Sequence, residues 1–390
     1  SNILEDPSSL HSYINYNYFD FDSSLEISFD IFEDLSKGKS DRYEYIFPDF
    51  NYEKSLNSNN NLNSDFIYNF RGFNKNYNSN TDETLVVNEF KYFSFPKVSS
   101  SMEGLQTSYK MLLRNINSTS DNSSNFKNGD DQKLLSSILL DTSLPLKKES
   151  INSKSFLTPR ISVRFSPNAT KNNYNSNVEL DYENIYSLDR VDNNAVEGGE
   201  SLTIGLEYSS LNKNNKNVFD LSIANIFRLK ENPDLPKIHN LSEKRSNLIG
   251  NFNYSPSKFF DLNYQFSLDK NLEDSNYDLV KASFNINNFV TSFEFLEEDN
   301  HLDNISYLKN KTTYTFDNNK SISFGTSKNL DQDITDYYNL IYEYENDCLT
   351  AAVEYNKSYY SDGDIRPEES IMFSIKIIPF GKIISPAVYN

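Results

Sequence analysis

Apolar and polar residues alternate along most of this chain. Every second residue is apolar in the segment LEISFDIF (25–32), and the segment FDLNYQFSLD (260–269) repeats the pattern. A period of two is produced by a β-strand that has one apolar and one polar face. About 17 to 20 such segments follow one another, separated by stretches rich in Asn, Ser, Asp and Gly. The pattern therefore predicts an all-β protein.

One segment, DQKLLSSILLDTSLPL (131–146), is a helical candidate, because its leucines group as they would on a helix face. It ends in the strand-like sequence TSLPL and its neighbours are strands, so we favour a strand here. Helices do not alternate with strands along the chain, which excludes doubly wound and TIM-barrel folds. The composition shows no boundary, and we expect one continuous domain over residues 1–390.

The spacing of strands and loops favours an antiparallel transmembrane β-barrel over soluble β-sandwiches, which share the same alternation. Barrel strands are about 9–11 residues long, apolar outside and polar inside, with short turns at one end and long loops at the other. The turns at 255–258 and 346–347 are short, whereas the loops at 118–133, 189–200 and 229–246 are long. The pattern is typical of an outer-membrane barrel.

The amino-acid composition restricts the kinds of partner that the protein is expected to bind. The 37 basic residues are outnumbered by 56 acidic ones, for a net charge of −19. This balance, without a basic cluster longer than a pair, argues against nucleic acid. The chain lacks an apolar run long enough for a transmembrane helix. Its first residues resemble no signal peptide, so we expect either a processed chain or a fragment.

Catalytic and metal-binding chemistry is not indicated. The histidines at positions 11, 239 and 301 are far apart in sequence, and none has a ligand partner at metal spacing. The acidic segments 297–304 and 361–369 lack the ligand spacing of a calcium-binding EF-hand. Cys348 has no neighbouring base that would make it a nucleophile. We expect no cofactor, no metal and no enzymatic activity.

Three stretches resemble the C-terminal barrel region of the LptD family, which assembles lipopolysaccharide in the outer membrane. They are YEYIFPDFNYEK (43–54), residues 157–208, and residues 337–381 with their hairpin cysteine and RPEES turn. The central stretch resembles the family's motif of an aromatic segment, Asp-Arg and Glu-Gly-Gly. The matching positions are Asn184, Ile185, Tyr186, Ser187, Asp189, Arg190, Glu197, Gly198 and Gly199.

The resemblance implies more than this chain contains. The family barrel has 26 strands preceded by a periplasmic jellyroll, so we expect a C-terminal portion of a large antiparallel transmembrane β-barrel, without the jellyroll and the first barrel strands. Many members carry a Cys-Cys pair at the hairpin. Here Asp347 stands at the first position and only Cys348 remains.

The function that the resemblance implies is transport without catalysis. Lipopolysaccharide would enter from the jellyroll and leave through a lateral opening between the first and last strands. We expect the last strand over residues 370–380, with apolar residues toward lipid and polar ones toward the lumen. Its gate residues would be Phe373, Ser374, Ile375, Lys376, Ile377 and Pro379. A proline near a strand end weakens pairing, and strands also simply end at prolines.

The implied partners are lipopolysaccharide, an LptE-like lipoprotein plug, and a periplasmic LptA-like bridge reached through the missing N-terminal domain. The polar face that would meet either the plug or water includes Asn263, Gln265, Ser267, Asn285 and Asn287. The implied location is the outer membrane. A porin or receptor barrel, or a secreted acidic adhesin, remains the alternative that the residues alone allow.

Cys348 is the only cysteine of the chain. On its own it is most simply a buried or incidental thiol, whereas in an oxidising periplasm it suggests a partner elsewhere. The strand alternation places it at a short turn. The resemblance implies that it forms a disulfide with a cysteine of the jellyroll, outside this chain.

Overall fold

The structure is a computed structural model. It describes residues 9–37, 42–57, 63–77, 82–98, 103–123, 127–174, 176, 178–191, 195–299, 304–317, 319–359, 367–377, 381–384 and 388–389. Within these ranges the chain is almost entirely β-strand, with one short 3-10 helix at Ile238–Asn240. Among the described residues, no helix is both long and apolar enough to cross a membrane.

The strands follow one another in chain order. The first twelve are β1 (Ser9–Phe19), β2 (Ser23–Asp34), β3 (Tyr43–Asn57), β4 (Asn63–Tyr77), β5 (Asp82–Ser94), β6 (Lys97–Val98), β7 (Gln106–Asp121), β8 (Gly129–Ser143), β9 (Leu146–Glu149), β10 (Ser153–Asn168), β11 (Gly199–Asn212) and β12 (Asn217–Arg228). The others are β13 (Leu248–Ser257), β14 (Phe260–Leu268), β15 (Ser275–Ile286), β16 (Phe289–Asp299), β17 (Asn304–Asp317), β18 (Lys320–Asn329), β19 (Ile334–Glu345), β20 (Leu349–Ser358), β21 (Glu369–Ile377), β22 (Gly381–Ile384) and β23 (Val388–Tyr389).

The predicted all-β class is confirmed. Four of the 23 strands within the described ranges have four residues or fewer, which leaves 19 longer strands, in agreement with the pattern. The helical candidate at 131–146 is a strand, since most of it lies in β8, which pairs antiparallel with β7 and β10. The long loop predicted at 118–133 is wrong, because β7 and β8 extend into it as far as Asp121 and Gly129.

The chain divides into two compact units, each described here by itself. Unit 1 comprises Ser1–Lys147, Phe156–Glu207 and Ile223–Asn247, and unit 2 comprises Lys148–Ser155, Tyr208–Ser222 and Leu248–Asn390. In unit 1 the strands β1, β2, β3, β4, β5, β7, β8 and β10 pair antiparallel, each with the next. In unit 2 the same meander runs from β13 to β21.

Side chains sort onto two faces of the strands, as the alternation predicts. On β10, Ile161, Val163 and Phe165 are each about half exposed, whereas Ser162 and Arg164 are buried. The exposed face is thus apolar and the covered face polar, the reverse of a soluble β-protein. This inversion is what strands facing lipid on the outside require, because hydrocarbon accepts apolar side chains and excludes charged ones. In unit 1, much of the polar face is covered by the chain itself.

Candidate functional site

The segment that joins β10 to β11 covers the polar face of unit 1. We call residues 169–198 the β10–β11 loop; the structure describes it except for 175, 177 and 192–194. Two apolar loop residues, Leu188 and Val196, anchor it by packing against a small apolar patch on the strands. The patch consists of Leu112, Ile116, Leu135 and Leu139, flanked by Leu85, Val87 and Phe93.

The carboxylate of Glu197 is the centre of a buried charge cluster. The guanidinium of Arg190 binds it in a bidentate manner, with Nε 2.6 Å from Oε2 and Nη2 2.7 Å from Oε1. Arg228 of β12 donates to Oε1 as well, and Nε of Arg164 of β10 lies 3.8 Å from Oε2. All four side chains are 3% exposed or less. One carboxylate is therefore shared by three guanidiniums, from two strands and the loop.

Burial raises the pKa of Glu197, whereas the nearby guanidiniums lower it. Burial by itself favours the neutral acid, but Arg190, Arg228 and Arg164 outweigh it and hold the pKa of Glu197 well below its ordinary value. The carboxylate is thus ionised at neutral pH. Removing one partner from a buried ion pair leaves an uncompensated charge, which costs about 3–5 kcal/mol.

The guanidiniums of this cluster outnumber the carboxylate, and two of them also donate hydrogen bonds to backbone carbonyls of the loop. Arg164 donates from Nη1 to the carbonyl of Leu188 at 2.6 Å and from Nη2 to that of Ser187. Arg190 donates to the carbonyl of Ile185 at 2.7 Å. A loop buried against a sheet would otherwise leave its carbonyls unsatisfied, so the arginines both neutralise Glu197 and satisfy the loop backbone.

Two more strand cations hold the loop from β7. Nζ of Lys110 donates to the carbonyl of Tyr186 at 3.1 Å, and Nη1 of Arg114 donates to the carbonyl of Ala195 at 3.3 Å. The Arg114 Nε also donates to Glu89 of β5 at 2.5 Å. Arg114 is 1% exposed, so its charge is balanced inside the protein.

Asp189 of the predicted motif joins the loop to β5. Its Oδ2 accepts from Nζ of Lys91 at 2.9 Å, and the same Nζ lies 2.9 Å from Oε1 of Glu89. Burial tends to raise the pKa of Asp189, but the hydrogen bond and charge of Lys91 outweigh it, and the pKa is lowered. Lys91, Glu89, Arg114 and Asp189 form a second, electrically balanced cluster.

The polar face of β11 is shaped to receive the loop. Ser201 and Thr203 accept hydrogen bonds from Arg190 at 3.0 and 2.9 Å. Two residues further along the same face stands Gly205, where a Cβ atom would collide with the hydroxyl of Tyr186. Two residues further again, Glu207 accepts a 2.8 Å hydrogen bond from Tyr182. Each inward position of this strand thus matches one loop residue.

Tyr186 lies deep in this interface. It is 2% exposed, and the guanidinium carbon of Arg160 stands 3.8 Å above its ring. Burial raises the pKa of Tyr186 to about 12, so its hydroxyl stays protonated at neutral pH. Arg160 is in turn held by Asp141, with Nε 3.0 Å from Oδ1.

The two glycines of the motif have separate roles. Gly199 begins β11 with a φ of +84°, a conformation that residues with a Cβ rarely adopt. Gly198 has no Cβ because Ala169, at the other end of the loop, approaches to where that atom would stand. The Glu-Gly-Gly sequence therefore places the carboxylate, closes the loop on itself and enters the next strand.

A second loop, residues 229–247 between β12 and β13, packs against the first. Nε of Arg228 donates to the carbonyl of Leu241 at 2.9 Å. Nε2 of His239 lies 3.1 Å from a carboxylate oxygen of Glu179, and Nζ of Lys171 lies 3.0 Å from Asp234. His239 is only 3% exposed, so it is a buried part of the contact between the two loops.

Beside the β10–β11 loop, the polar face of unit 1 holds a recess of about 410 Å³. It is bordered by the loop through Asp189 and by the strand cations Lys91 and Arg114. Its lining is mainly charged and amide side chains: Glu26, Ser28, Asp49, Asn51, Asn69, Arg71, Val87, Glu89, Lys91, Arg114 and Asp189. Three cations face four carboxylates, so the recess is suited to a polar, hydrogen-bonding occupant.

The predicted gate strand is present as β21 (Glu369–Ile377), and two short strands, β22 and β23, follow it in the chain. β21 ends at Ile377, and β22 and β23 pair antiparallel with its residues 374–377 and 370–371. Within β21, Phe373, Ile375 and Ile377 are exposed on one face, and Ser374 and Lys376 alternate with them. Pro379 lies outside the described residues. A gate role for this strand stays a prediction.

Cys348 is a free, exposed thiol at the hairpin between β19 and β20. The interpretation as a buried thiol is therefore wrong. The turn is formed by Asn346, whose Oδ1 accepts the backbone N–H groups of Cys348 at 3.0 Å and Leu349 at 2.9 Å. The disulfide with a partner outside this chain stays a prediction.

The residues predicted to face a plug or water divide into two groups. Ser267 is buried, and Nδ2 of Asn263 donates to the amide oxygens of Asn251 and Asn253 at 2.8 and 2.6 Å. Gln265 is half-buried, whereas Asn285 and Asn287 are exposed. Neighbouring strands of unit 2 are thus joined on this face by hydrogen bonds between amide side chains.

Metal chemistry finds no support within the described ranges, where no group of histidine, cysteine and acidic residues could hold an ion. His301 lies outside those ranges. Nε2 of His11 is 2.7 Å from Asp30.

The residues that sequence reasoning missed are the strand cations. Lys91, Lys110, Arg114, Arg164 and Arg228 hold the motif loop, yet none belongs to the motif. Their only signal is their charge, because each stands in a strand and a charged side chain on a covered strand face requires a partner.

The chain was compared with known proteins. No curated sequence matches it. Similar solved structures include the siderophore receptor PirA of Acinetobacter baumannii, at 8% identity over 96% of this chain and 72% of that chain, with a TM-score of 0.49. A mutant of the porin of Rh. blastica matches at 12% identity over 71% of this chain and 87% of that chain, with a TM-score of 0.29. The sequence model of LptD, LPS transport system D, matches residues 6–326, and the chain therefore belongs to the LptD family of outer-membrane lipopolysaccharide-transport proteins.

Proposed function

We propose that this chain forms part of the wall of an outer-membrane β-barrel that delivers lipopolysaccharide through a lateral opening into the outer leaflet. The protein acts as a conduit, with no catalytic step. The observation that carries the proposal is the family match over residues 6–326, which includes the whole β10–β11 loop and its arginine cluster.

The faces of the strands support a conduit. Apolar side chains such as Met111 and Leu113 of β7 are exposed on one face, while Arg114 on the other face is buried. An apolar exterior suits lipid, and a polar interior suits the sugars and phosphates of a lipopolysaccharide headgroup. The recess beside Asp189 offers such a headgroup carboxylates, amides and cations on one side of its path.

The partners follow from the same proposal. An LptE-like lipoprotein would fill the lumen against amide-rich strands such as those of Asn253 and Asn263. An LptA-like periplasmic bridge would deliver lipopolysaccharide to a jellyroll domain outside this chain. The lateral opening would involve the strands β21 to β23, which stand at the end of the unit 2 meander.

Two measurements on the full-length protein test the proposal. A closed barrel in detergent migrates faster on a gel before heating than after it, and an unchanged mobility would contradict the barrel. In cells depleted of their own LptD-family protein, the wild-type gene should restore surface lipopolysaccharide. If it fails to do so but the purified protein conducts ions freely across a bilayer, the protein is a porin instead.

A matched pair of variants tests the path. Ser28→Tyr adds a large side chain to the recess, and we expect it to reduce delivery of lipopolysaccharide to the surface. Ser257→Tyr makes the same change at an exposed position at the end of β13 and should leave delivery unchanged. Equal delivery by both variants at equal protein levels would exclude the recess from the path.

A further inference from the structure

Backbone pairing in an antiparallel meander ties each strand only to its two neighbours. In unit 1 the polar face carries a second set of connections, because the β10–β11 loop also joins strands that are not neighbours, such as β5 and β10. Its contacts reach β5 through Lys91, β7 through Arg114, β10 through Arg164, β11 through Thr203 and β12 through Arg228. All of these contacts lie within unit 1.

The connections converge on a few loop atoms. Glu197 alone is shared by Arg164 of β10, Arg190 of the loop and Arg228 of β12. A stretch of nine residues carries Asp189, Arg190 and Glu197, and these three residues reach four of the five strands. A movement that separated β5, β10 or β12 from the loop would withdraw an ammonium or guanidinium group from its counter-charge. Separating β11 would remove two hydroxyl acceptors from Arg190.

We propose that the β10–β11 loop is an internal brace that makes the unit 1 parts of strands β5 to β12 move as one rigid body. Since the charges that meet at Glu197 are buried, opening this part of the wall is suppressed by more than about a hundredfold relative to a wall held by backbone pairing alone. In a protein that must part its strands to release lipid, a step that rests on the proposed function, the brace confines that movement to strands outside β5–β12.

The apolar contacts of the loop also resist separation of the strands. Leu188 and Val196 pack into a patch formed by Leu112 and Ile116 of β7 and by Leu135 and Leu139 of β8. This patch fastens the loop to the middle of the braced strands, between the charged contacts. The loop is thus held on several sides, which a brace needs and a mobile lid does not.

Hydrogen exchange of the full-length protein in detergent tests the brace. Glu197→Gln keeps the shape of the side chain but removes the charge that three guanidiniums share. We expect amide exchange to rise together, by more than about tenfold, in β5, β7, β10, β11 and β12. A rise in amide exchange confined to residues 185–199 would overturn the brace, because the strands would then be rigid without the loop.

A matched variant controls for loss of an inward carboxylate. Glu294→Gln removes a carboxylate of β16 that lies 3.1 Å from Lys281 and 3.7 Å from Lys309. Its side chain and those of its partners are at least a quarter exposed, so exchange should change only in β15–β17. An equal, long-range effect of Glu294→Gln would also overturn the proposal.

If Glu197→Gln does not fold, Thr203→Val provides a milder test. It removes one acceptor of Arg190 and leaves every charge in place. A smaller rise shared by the same five strands supports the brace, and a rise limited to β11 overturns it. Exchange is measured without lipopolysaccharide, so a failure of the wild-type protein to transport lipid would refute the proposed function and leave this result intact.

Discussion

The carboxylate of Glu197 and the guanidinium of Arg190 form a two-point ion pair, at 2.6 and 2.7 Å, although only six residues separate them in the sequence. Both side chains are 1% exposed. Their short separation makes the pair local, but its surroundings are not, because Arg164 and Arg228 reach the same carboxylate from two strands. A local motif is therefore completed by distant residues.

The first prediction concerns the coupling of Glu197 to Arg228. Glu197→Gln should lower the free energy of unfolding by about 3–5 kcal/mol, because three buried guanidiniums lose their counter-charge. Arg228→Gln should cost less, since Arg190 and Arg164 still neutralise the carboxylate. The double variant should be less destabilised than the sum by about 1–3 kcal/mol.

Denaturant unfolding of the refolded protein in detergent measures this cycle. The matched cycle uses Lys281 and Glu294 of unit 2, whose side chains are 51% and 28% exposed. That pair should couple by about 1 kcal/mol or less. Strict additivity of the Glu197 and Arg228 variants would show that the buried contact contributes nothing of its own.

The second prediction concerns Gly205. Gly205→Ala places a methyl group against the hydroxyl of Tyr186 and should destabilise the protein by about 1–3 kcal/mol. Adding Tyr186→Phe removes the colliding oxygen and should recover part of this loss. In the control Gly325→Ala, the nearest atom lies 3.8 Å away, so little change is expected.

Thermal unfolding of the four proteins compares them directly. A loss at Gly205 that Tyr186→Phe does not reduce would mean that the backbone neighbours of Gly205, and not Tyr186, set its size. Equal losses for Gly205→Ala and Gly325→Ala would show that glycine is required only for strand geometry.

The sequence was sufficient for the fold class and for the position of the motif. Its neighbouring strands identify β8 as a strand, although its leucines suggest a helix and LLSSILL itself shows no period of two. Alternation could not locate strand ends in the region 118–133, where β7 and β8 continue through polar residues such as Thr119 and Gln132. This polar stretch resembles a loop because its inward positions are also polar, although Ser118 and Ser120 are buried.

Only the loop residues of the charge cluster could be predicted from the sequence. Asp189, Arg190 and Glu197 belong to one motif, but pairing a strand cation with that motif depends on which strand faces the loop. Arg114 and Ala195 are 81 positions apart, and a single sequence carries no signal that connects them. The burial of His239 was missed for the same reason, since its partner Glu179 lies in the other loop.

The third prediction concerns acid. The pKa values of Asp189 and Glu197 are lowered in the folded protein, so the folded state binds their protons less readily than the unfolded state does. The stabilisation from both groups is therefore present above their ordinary pKa values of 3.8 and 4.5, and is lost as the pH falls below them. The midpoint temperature of thermal unfolding should therefore decrease as the pH is lowered below about 4.5.

Glu197→Gln provides the matched control, because it removes the group that should titrate. Its midpoint should be lower at neutral pH and should fall less steeply on acidification than that of the wild type. Parallel pH profiles for the two proteins would show that Glu197 does not contribute to the acid sensitivity.

The last prediction concerns Cys348. Because its thiol is exposed on the β19–β20 hairpin, this chain alone should react completely with a maleimide reagent without prior reduction. In the full-length protein the thiol should be protected until a reductant is added, because the family resemblance pairs it with a cysteine of the jellyroll. Mass spectrometry of the alkylated protein measures both states, and Cys348→Ser identifies the signal. Complete labelling of the unreduced full-length protein would show that the hairpin cysteine has no disulfide partner.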